Sequence, residues 1–535
     1  MGYRRKRISQ SAKGAAKRRV PEQAWAALDR AARWRFTGLV AAGVYMIVAG
    51  AIIFTYHRIL DYGMESDFLF EYVPVAREMA NLKLPIPAFR GPFYPALLAG
   101  VAGIVRDYFR AGLLIGLGSA GAAIVLSFYL IRRVFGGRIA LGATLLLIAN
   151  PYFFLYTYQV GTDLPFVALA TASIYLLLGR DDLSWKRVAG SAALGALAYL
   201  TRYNGLFLLA APLLVAVFNL WKVDWRPRVM AGALFVAVFF ACIAPWGFYC
   251  LREKGSFFYS ENYQNIAFDV YAKGQMTRED FFWKGNPFEG MSIKALVMHD
   301  PRTFFGSLAR NFVSHGARIL GDLLGWPLAA LSVAGLVLLV IQRPSPGQCV
   351  YLLLNLAFYL VLLPIHLEIR YALFMLGALV SLSSCAFFLL NTRVRAPALQ
   401  IASVLAFTGL VIWSIASSYK LNQQAIDAGP PEVVQIADRF RSSVPPERRG
   451  NIVAARKPHI AYYTGLGYFP LPVVDSPDEL IRRLKAQNVD YLYFGRAEYA
   501  LRPGLRALMD PNRTWPGLTR VVRSDDPPSF LYRVE

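Results

Sequence analysis

A chain of 535 residues that is 56% apolar is too hydrophobic for a string of soluble domains, so its net charge of +23 does not by itself argue for nucleic acid. Apolar runs long enough to cross ~30 Å of hydrocarbon recur from Phe36 to about Ser417, and the basic residues gather between them. The partner this implies is the bilayer, with no nucleic acid.

Residues 1–35 form a basic arm with eleven Lys and Arg between Arg4 and Arg35, which assigns the N-terminus to the cytoplasm by the positive-inside rule. The first apolar stretch reads as an uncleaved signal-anchor, too long and too deep in the chain for a cleaved leader. About eleven transmembrane helices are predicted, at 36–56, 111–131, 138–158, 164–179, 188–201, 203–220, 229–250, 318–341, 348–364, 371–390 and 397–417. The pair 188–201 and 203–220 also reads as one broken hairpin around Thr201-Arg202-Tyr203-Asn204, which leaves nine to thirteen crossings open. Basic turns at 132–138, 180–187, 222–228, Arg343, Arg393 and Arg395 then fall on the cytoplasmic side. An odd number of crossings sends the C-terminus outside. The four cysteines, Cys242, Cys250, Cys349 and Cys385, lie in apolar runs and read as small core residues.

The expected fold is therefore an all-α polytopic membrane domain over 36–418, followed by a small extracytoplasmic α/β domain over 419–535. Two outward loops are predicted, at 57–110 and 251–317. The first contains a short apolar helix from Ala96 to Val105, below crossing length and suited to the interface. The second is crowded with aromatics from Phe257 to Trp283, which favour headgroup depth and also suit stacking on sugar faces. In the C-terminal domain, helical patterns at Pro431–Arg441 and Pro477–Gln487 alternate with a strand at 491–494, without a glycine phosphate fingerprint.

Ionisable groups at membrane depth cost about 2.5–3.5 kcal/mol at a helix centre, so the carboxylates and guanidiniums near span ends carry the functional argument. Glu65-Ser66-Asp67 stands just past the first span, and Asp163 opens a later span on the same side, so two acids can face one cavity. Asp163 before Leu164-Pro165 equally suits a helix N-cap. Arg202, and the cluster His366-Leu367-Glu368-Ile369-Arg370-Tyr371, supply cations on that face. They suit recognition of phosphate; internal ion pairs, Asp163 with Arg202 or Glu368 with Arg370, are the alternative.

Taken in order, these signals resemble the GT-C superfamily of membrane glycosyltransferases. The matching pieces are Glu65-Ser66-Asp67 with Tyr72 and Ala76, Gly91-Pro92-Phe93-Tyr94-Pro95 and Arg132-Arg133-Val134-Phe135-Gly136. They continue with Ala149-Asn150-Pro151, Asp163, Leu200-Thr201-Arg202, His366-x-Glu368-x-Arg370-Tyr371 and, near the C-terminus, Ala461-Tyr462-Tyr463-Thr464-Gly465. The resemblance implies an enzyme of a bacterial inner (plasma) membrane that moves a sugar from a polyprenyl-phosphate donor to a hydroxyl of a glycan, lipid or protein acceptor. It implies Asp67 as general base and Asp163 as the second acid. Arg202, His366 and Arg370 would hold the donor phosphate; Glu65, Tyr72, Arg90, Tyr94 and Glu368 would line the substrate site. A single base with opposite-face attack implies inversion. Some members hold a divalent metal (Mg or Mn) with first-loop acids, and Glu65 with Asp67 are the candidates, although the Asp-x-Asp spelling is absent. A transporter or flippase of lipid-linked saccharides is the alternative from another class, and an inactive assembly partner is a third.

Overall fold

A computed structural model of the chain describes residues 36–535 except 64, 284, 394 and 395, and no side chain at 391–393 or 397. The basic arm 1–35 and the turn residue Arg395 lie outside the described residues.

Numbered over the longer elements, the helices are α1 (Thr37–Tyr56), α2 (Phe93–Val105), α3 (Tyr108–Phe135), α4 (Gly137–Ala149), α5 (Pro151–Tyr158), α6 (Asp163–Leu178) and α7 (Trp185–Thr201). They continue as α8 (Trp225–Lys254), α9 (Pro301–Arg318), α10 (Trp326–Ile341), α11 (Pro346–Leu362), α12 (Leu376–Arg393) and α13 (Pro397–Asp427). The 28-residue α3 forms the hub, packing against α1, α4 and α6. Its apolar window is 61% buried against 11% for α13, which separates the core helix from one whose apolar flank faces outward as lipid-facing helices do.

Among the described residues, five helices are long and apolar enough to cross a membrane, and up to seven cross if each of two bent pairs is one span. Four further apolar helices are shorter: Phe93–Val105, Asp163–Leu178, Tyr203–Val217 and Pro346–Leu362. The difference from the eleven predicted spans lies partly in these shorter helices and partly in two bends. The stretch 138–158 bends by 59° at Asn150-Pro151, because Pro151 cannot continue the helix and Asn150 caps the next one, accepting from the Tyr152 and Phe153 N–H at 3.0 and 3.1 Å. The stretch 318–341 is not one helix but turns by 117° at Gly325, whose φ of +84° only glycine adopts freely. Of the cysteines, Cys250 and Cys385 are buried, whereas Cys242 is exposed on the flank of α8.

Beyond α13 come α14 (Pro431–Ser443), α15 (Pro477–Ala486) and five strands: β1 (Ile452–Ala455), β2 (Gly467–Pro470), β3 (Tyr491–Phe494), β4 (Leu518–Asp525) and β5 (Pro528–Val534). The sheet order is β2-β1-β3-β5-β4, with β1 parallel to β2 and β3, and β5 antiparallel to β3 and β4. Every residue of β3 is buried, as befits a central strand covered on both faces, with separate apolar clusters on either side. This unit is clamped to the segment after α1. Tyr62 packs into its core, the Leu60 N–H donates to the Tyr463 hydroxyl at 3.1 Å, and a His459 ring nitrogen lies 2.9 Å from the Asp61 carbonyl.

Candidate active site

Where the segment after α1 meets the loops before α9 and α12 and the sheet unit, they enclose a cavity of about 830 Å³. Its first wall is the helical segment 65–80. Pro74 has no N–H to give to the Phe70 carbonyl, and the helix widens into a π turn at Phe68–Tyr72. Asp67, Phe70, Glu71 and Pro74, at helical spacing, then share the face that lines the cavity. Glu65, Phe68, Leu69 and Tyr72 turn the other way and are buried in the bundle.

Asp67 sits between two guanidiniums: Arg90 Nη2 donates to its Oδ2 at 2.9 Å and Arg370 Nη1 stands 3.2 Å from the same oxygen. Burial alone would raise this carboxyl, but Arg90 and Arg370 outweigh it and hold it below the usual carboxylate range. Arg90 also reaches Glu71 at 3.3 Å, where burial outweighs the pairing and the carboxyl is raised. The loop carrying Arg90 is fixed from several sides. Its backbone carbonyl accepts from the Tyr203 hydroxyl at 3.2 Å, and the neighbouring Phe89 carbonyl accepts from the Asn262 amide at 2.7 Å. At Gly91 the backbone lies so close to the end of α7 that an added Cβ would stand 2.0 Å from the Leu200 carbonyl oxygen.

The opposite wall is Ile365 to Tyr371. Arg370 Nε is 2.5 Å from Glu368 Oε2, and Glu368 Oε1 is 3.4 Å from His366 Nε2. Burial works against the Glu368 carboxylate, yet the His366 hydrogen bond and Arg370 bring it down to about 2. His366 is raised above its ordinary value, because bonds to Asp269, at 2.9 Å, and to Glu368 outweigh the desolvation of its cation. Arg202 and Arg370 each sit over the Tyr371 ring, at 5.1 and 5.3 Å from its centroid.

The two acids predicted to share the cavity part company here. Asp163 is not an N-cap; Thr162 is, and Asp163, in the first turn of α6, pairs with Arg202 instead, both less than 10% exposed. Arg202 lines the cavity and Asp163 does not. Both ion pairs anticipated as the alternative to phosphate recognition, Asp163 with Arg202 and Glu368 with Arg370, are formed. Of the expected substrate residues, Arg90 and Glu368 reach the cavity. Tyr72 lies beneath Arg90, its ring 5.3 Å from the guanidinium carbon, and Tyr94 is fully buried against Tyr72.

Glu65 is also fully buried, 3.1 Å from His57 and bonded to the Asp61 N–H at 2.5 Å, and burial raises its carboxyl despite the His57 hydrogen bond. Glu65 and Asp67 therefore do not converge on a metal, since the first is spent on this latch and the second on guanidiniums. Among the described residues no group of three or more His, Cys, Asp and Glu side chains is disposed to hold one.

The cavity also holds residues that the sequence reading did not single out: Tyr203, Asn262, Asn265, Arg278, Glu279, Arg456 and Lys457. Arg278 donates to Asn265 Oδ1 at 2.5 Å and packs over Phe282, 5.2 Å from its centroid. Arg456 is bound by Glu279, which also takes Arg502 at 3.0 Å. A signal for the last two cavity residues did exist: they follow directly on the apolar run Ile452–Ala455.

Residues 89–249 match the profile of the dolichyl-phosphate-mannose-protein mannosyltransferase family. The whole chain resembles ArnT from Cupriavidus metallidurans bound to undecaprenyl phosphate, with 15% identity, a TM-score of 0.58, and 94% of this chain and 98% of that one covered. The chain has the GT-C fold. It is likewise similar to the archaeal oligosaccharyltransferase AglB from Archaeoglobus fulgidus in complex with an inhibitory peptide and a dolichol-phosphate (14% identity, TM-score 0.56, 90% and 74% covered). A second structure of the Archaeoglobus fulgidus oligosaccharyltransferase, tethered to an acceptor peptide containing the NVT sequon, aligns at 13% identity and a TM-score of 0.59, covering 87% and 70%. No curated protein sequence matches. With this fold and its apolar helices, the GT-C chain is a multi-pass membrane protein.

Proposed function

We propose that this GT-C protein is an inverting glycosyltransferase that takes a sugar from a polyprenyl-phosphate donor and passes it to a hydroxyl acceptor, with Asp67 as general base. The observation that carries the reading is Asp67 itself: an ionised carboxylate on a cavity wall, 34% exposed, flanked by two guanidiniums. The neighbours that hold undecaprenyl phosphate or dolichol-phosphate lend the donor class. The fold supports transfer over transport of lipid-linked saccharides.

In the proposed step the acceptor oxygen attacks the anomeric carbon from the face opposite the phosphate. Its proton passes to Asp67, the bond from the anomeric carbon to the phosphate oxygen breaks, and polyprenyl phosphate leaves. The acceptor hydroxyl has a pKa far above neutrality, which is why a base is needed. The leaving phosphate gains charge that Arg202, Arg370 and His366 stabilise. Arg370 has a second role. Paired to Asp67, it lowers the basicity of that carboxylate; once a donor phosphate draws Arg370 away, Asp67 loses one of its two cations and becomes the stronger base. Glu65 faces His57 and is given no ligand role in this step.

The cavity lies at the end of α3 marked by Tyr108, whereas the basic turn at Arg133 joins Arg180 and Val223 around a separate hollow at the other end. The positive-inside rule puts that second end in the cytoplasm, and so the cavity and the sheet unit outside it. The test is to incubate purified full-length protein in detergent with undecaprenyl-phosphate sugars. Release of undecaprenyl phosphate, coupled to glycosylation of a cell-envelope extract, is expected. A protein that binds and consumes none of them is not this enzyme.

A further inference from the structure

The sheet unit does more than cap the bundle. In the order β2-β1-β3, the chain leaves β1 to build outward on one side and later returns to build on the other, so the carboxyl end of β1 is a switch point, where open α/β sheets leave a crevice for ligands. Arg456 and Lys457 occupy that end, and both line the cavity. They are employed differently. Arg456 is bound to Glu279, which it shares with Arg502, and packed over Trp283, 5.4 Å from its ring centroid, so it already has a carboxylate partner. Lys457 Nζ donates to Ser66 Oγ at 3.0 Å, and no carboxylate among the described residues lies within ion-pair distance of it.

The surrounding charges make this lysine informative. The cavity is lined by six cationic side chains, Arg90, Arg202, Arg278, Arg370, Arg456 and Lys457, against four carboxylates. Arg90, Arg370 and Arg456 are paired within the cavity and Arg202 with Asp163 behind it. Arg278 is occupied by Asn265 and two aromatic faces. Lys457 is left with a single hydroxyl and two further N–H groups, beside the residue that precedes the proposed base. An ammonium half withdrawn from water, hydrogen-bonded among the described residues to one hydroxyl and with the Asp67, Glu279 and Asp61 carboxylates only at longer range, is a costly arrangement unless an anion completes it.

We propose that Lys457, delivered by the C-terminal sheet unit, is an anion-binding residue of the transferase site that takes a phosphate oxyanion of a bound substrate. This rests on the functional reading above. Burial lowers the lysine's pKa relative to its ordinary value, and an arriving oxyanion would offset that desolvation of the ammonium. The oxyanion has two sources, the phosphate of the lipid donor or an anionic group on the acceptor, and both present the same chemistry to Nζ.

The test uses full-length protein in detergent and two probes: undecaprenyl phosphate alone, and inorganic phosphate added after the lipid site is saturated. Lys457→Met is expected to weaken one of these at least about tenfold, the loss of one charge-assisted hydrogen bond, while Lys457→Arg stays within about threefold of the parent. Loss confined to the lipid phosphate assigns Lys457 to the donor; loss confined to inorganic phosphate assigns it to the acceptor side. Ser66→Ala, which removes only the hydroxyl neighbour, should leave both affinities within about threefold and so separates anion binding from simple packing. If Lys457→Met binds both probes like the parent with an unchanged unfolding temperature, the inference is overturned. If the parent itself binds no undecaprenyl phosphate, the functional reading fails instead.

Discussion

The two carboxylates that the sequence placed on one face, Asp67 and Asp163, live in opposite circumstances. Asp67 has its side chain 34% exposed, lines the cavity and shares its charge with two arginines from different loops. Asp163 is 6% exposed, lies behind the wall and has one arginine to itself. The first pair is held loosely enough for a substrate to rearrange it; the second is closed off, and breaking it would leave a cation stranded in the bundle. An acid near an active site can thus serve chemistry or architecture, and solvent access with shared partners separates the two.

The sharpest way to press the contrast is Asp67→Asn, which keeps shape and bonding but cannot accept a proton. Transfer should fall by about 10²–10⁴-fold, with the unfolding temperature unchanged. Full activity in that variant removes Asp67 as the base. Asp163→Asn should behave in reverse, losing about 3–5 kcal/mol of stability because Arg202 is left buried without its counter-ion. Thermal unfolding in detergent would report it, and adding Arg202→Met should recover part of the loss. If Asp163→Asn is as stable as the parent, the pair is not architectural.

A finer probe is the acid limb of kcat/KM. The Asp67 carboxyl is depressed in the folded protein, so it remains ionised until pH drops through that lowered value, below the ordinary ~3.9. Arg90→Gln removes one of its two positive neighbours and should move the limb toward higher pH. An unmoved limb would mean that the titrating group is not Asp67. The smallest effect belongs to Tyr94→Phe: the hydroxyl is buried without a partner among the described residues, so its removal should be neutral or slightly stabilising and leave transfer untouched.

Much of this was legible beforehand. The apolar runs announced a membrane domain, the fall in hydropathy after Ser417 announced the sheet unit, and helices near 431 and 477 and the strand at 491–494 were found close to their expected places. Asp67, Arg202, His366, Glu368 and Arg370 do meet around one cavity. Crossing number was less legible, since hydropathy integrates over kinks such as Asn150-Pro151 and Gly325 that only backbone geometry resolves. Tyr72, Tyr94 and Glu65 read as substrate-facing from their motifs, but motif proximity does not say which way a side chain turns; one or two positions along a helix swing it by about 100–200°. Although Lys457 follows the apolar run Ile452–Ala455, its contact with Ser66 spans some 390 residues of chain, and no local pattern carries such a contact.

Gly91 has no charge and touches no ligand, yet it sets the gauge between two walls. The strip that holds Arg90 rests directly on the last carbonyls of α7, one residue ahead of Thr201-Arg202. A single methyl there would force the two apart by roughly 1 Å, more than packed backbone yields without rearranging. Both guanidiniums would then be mis-spaced for anything that bridges them, although neither had been altered. Alignment of this kind is kept by an empty position, and the tolerance of the cavity to drift in its loops is set by how little room that emptiness leaves.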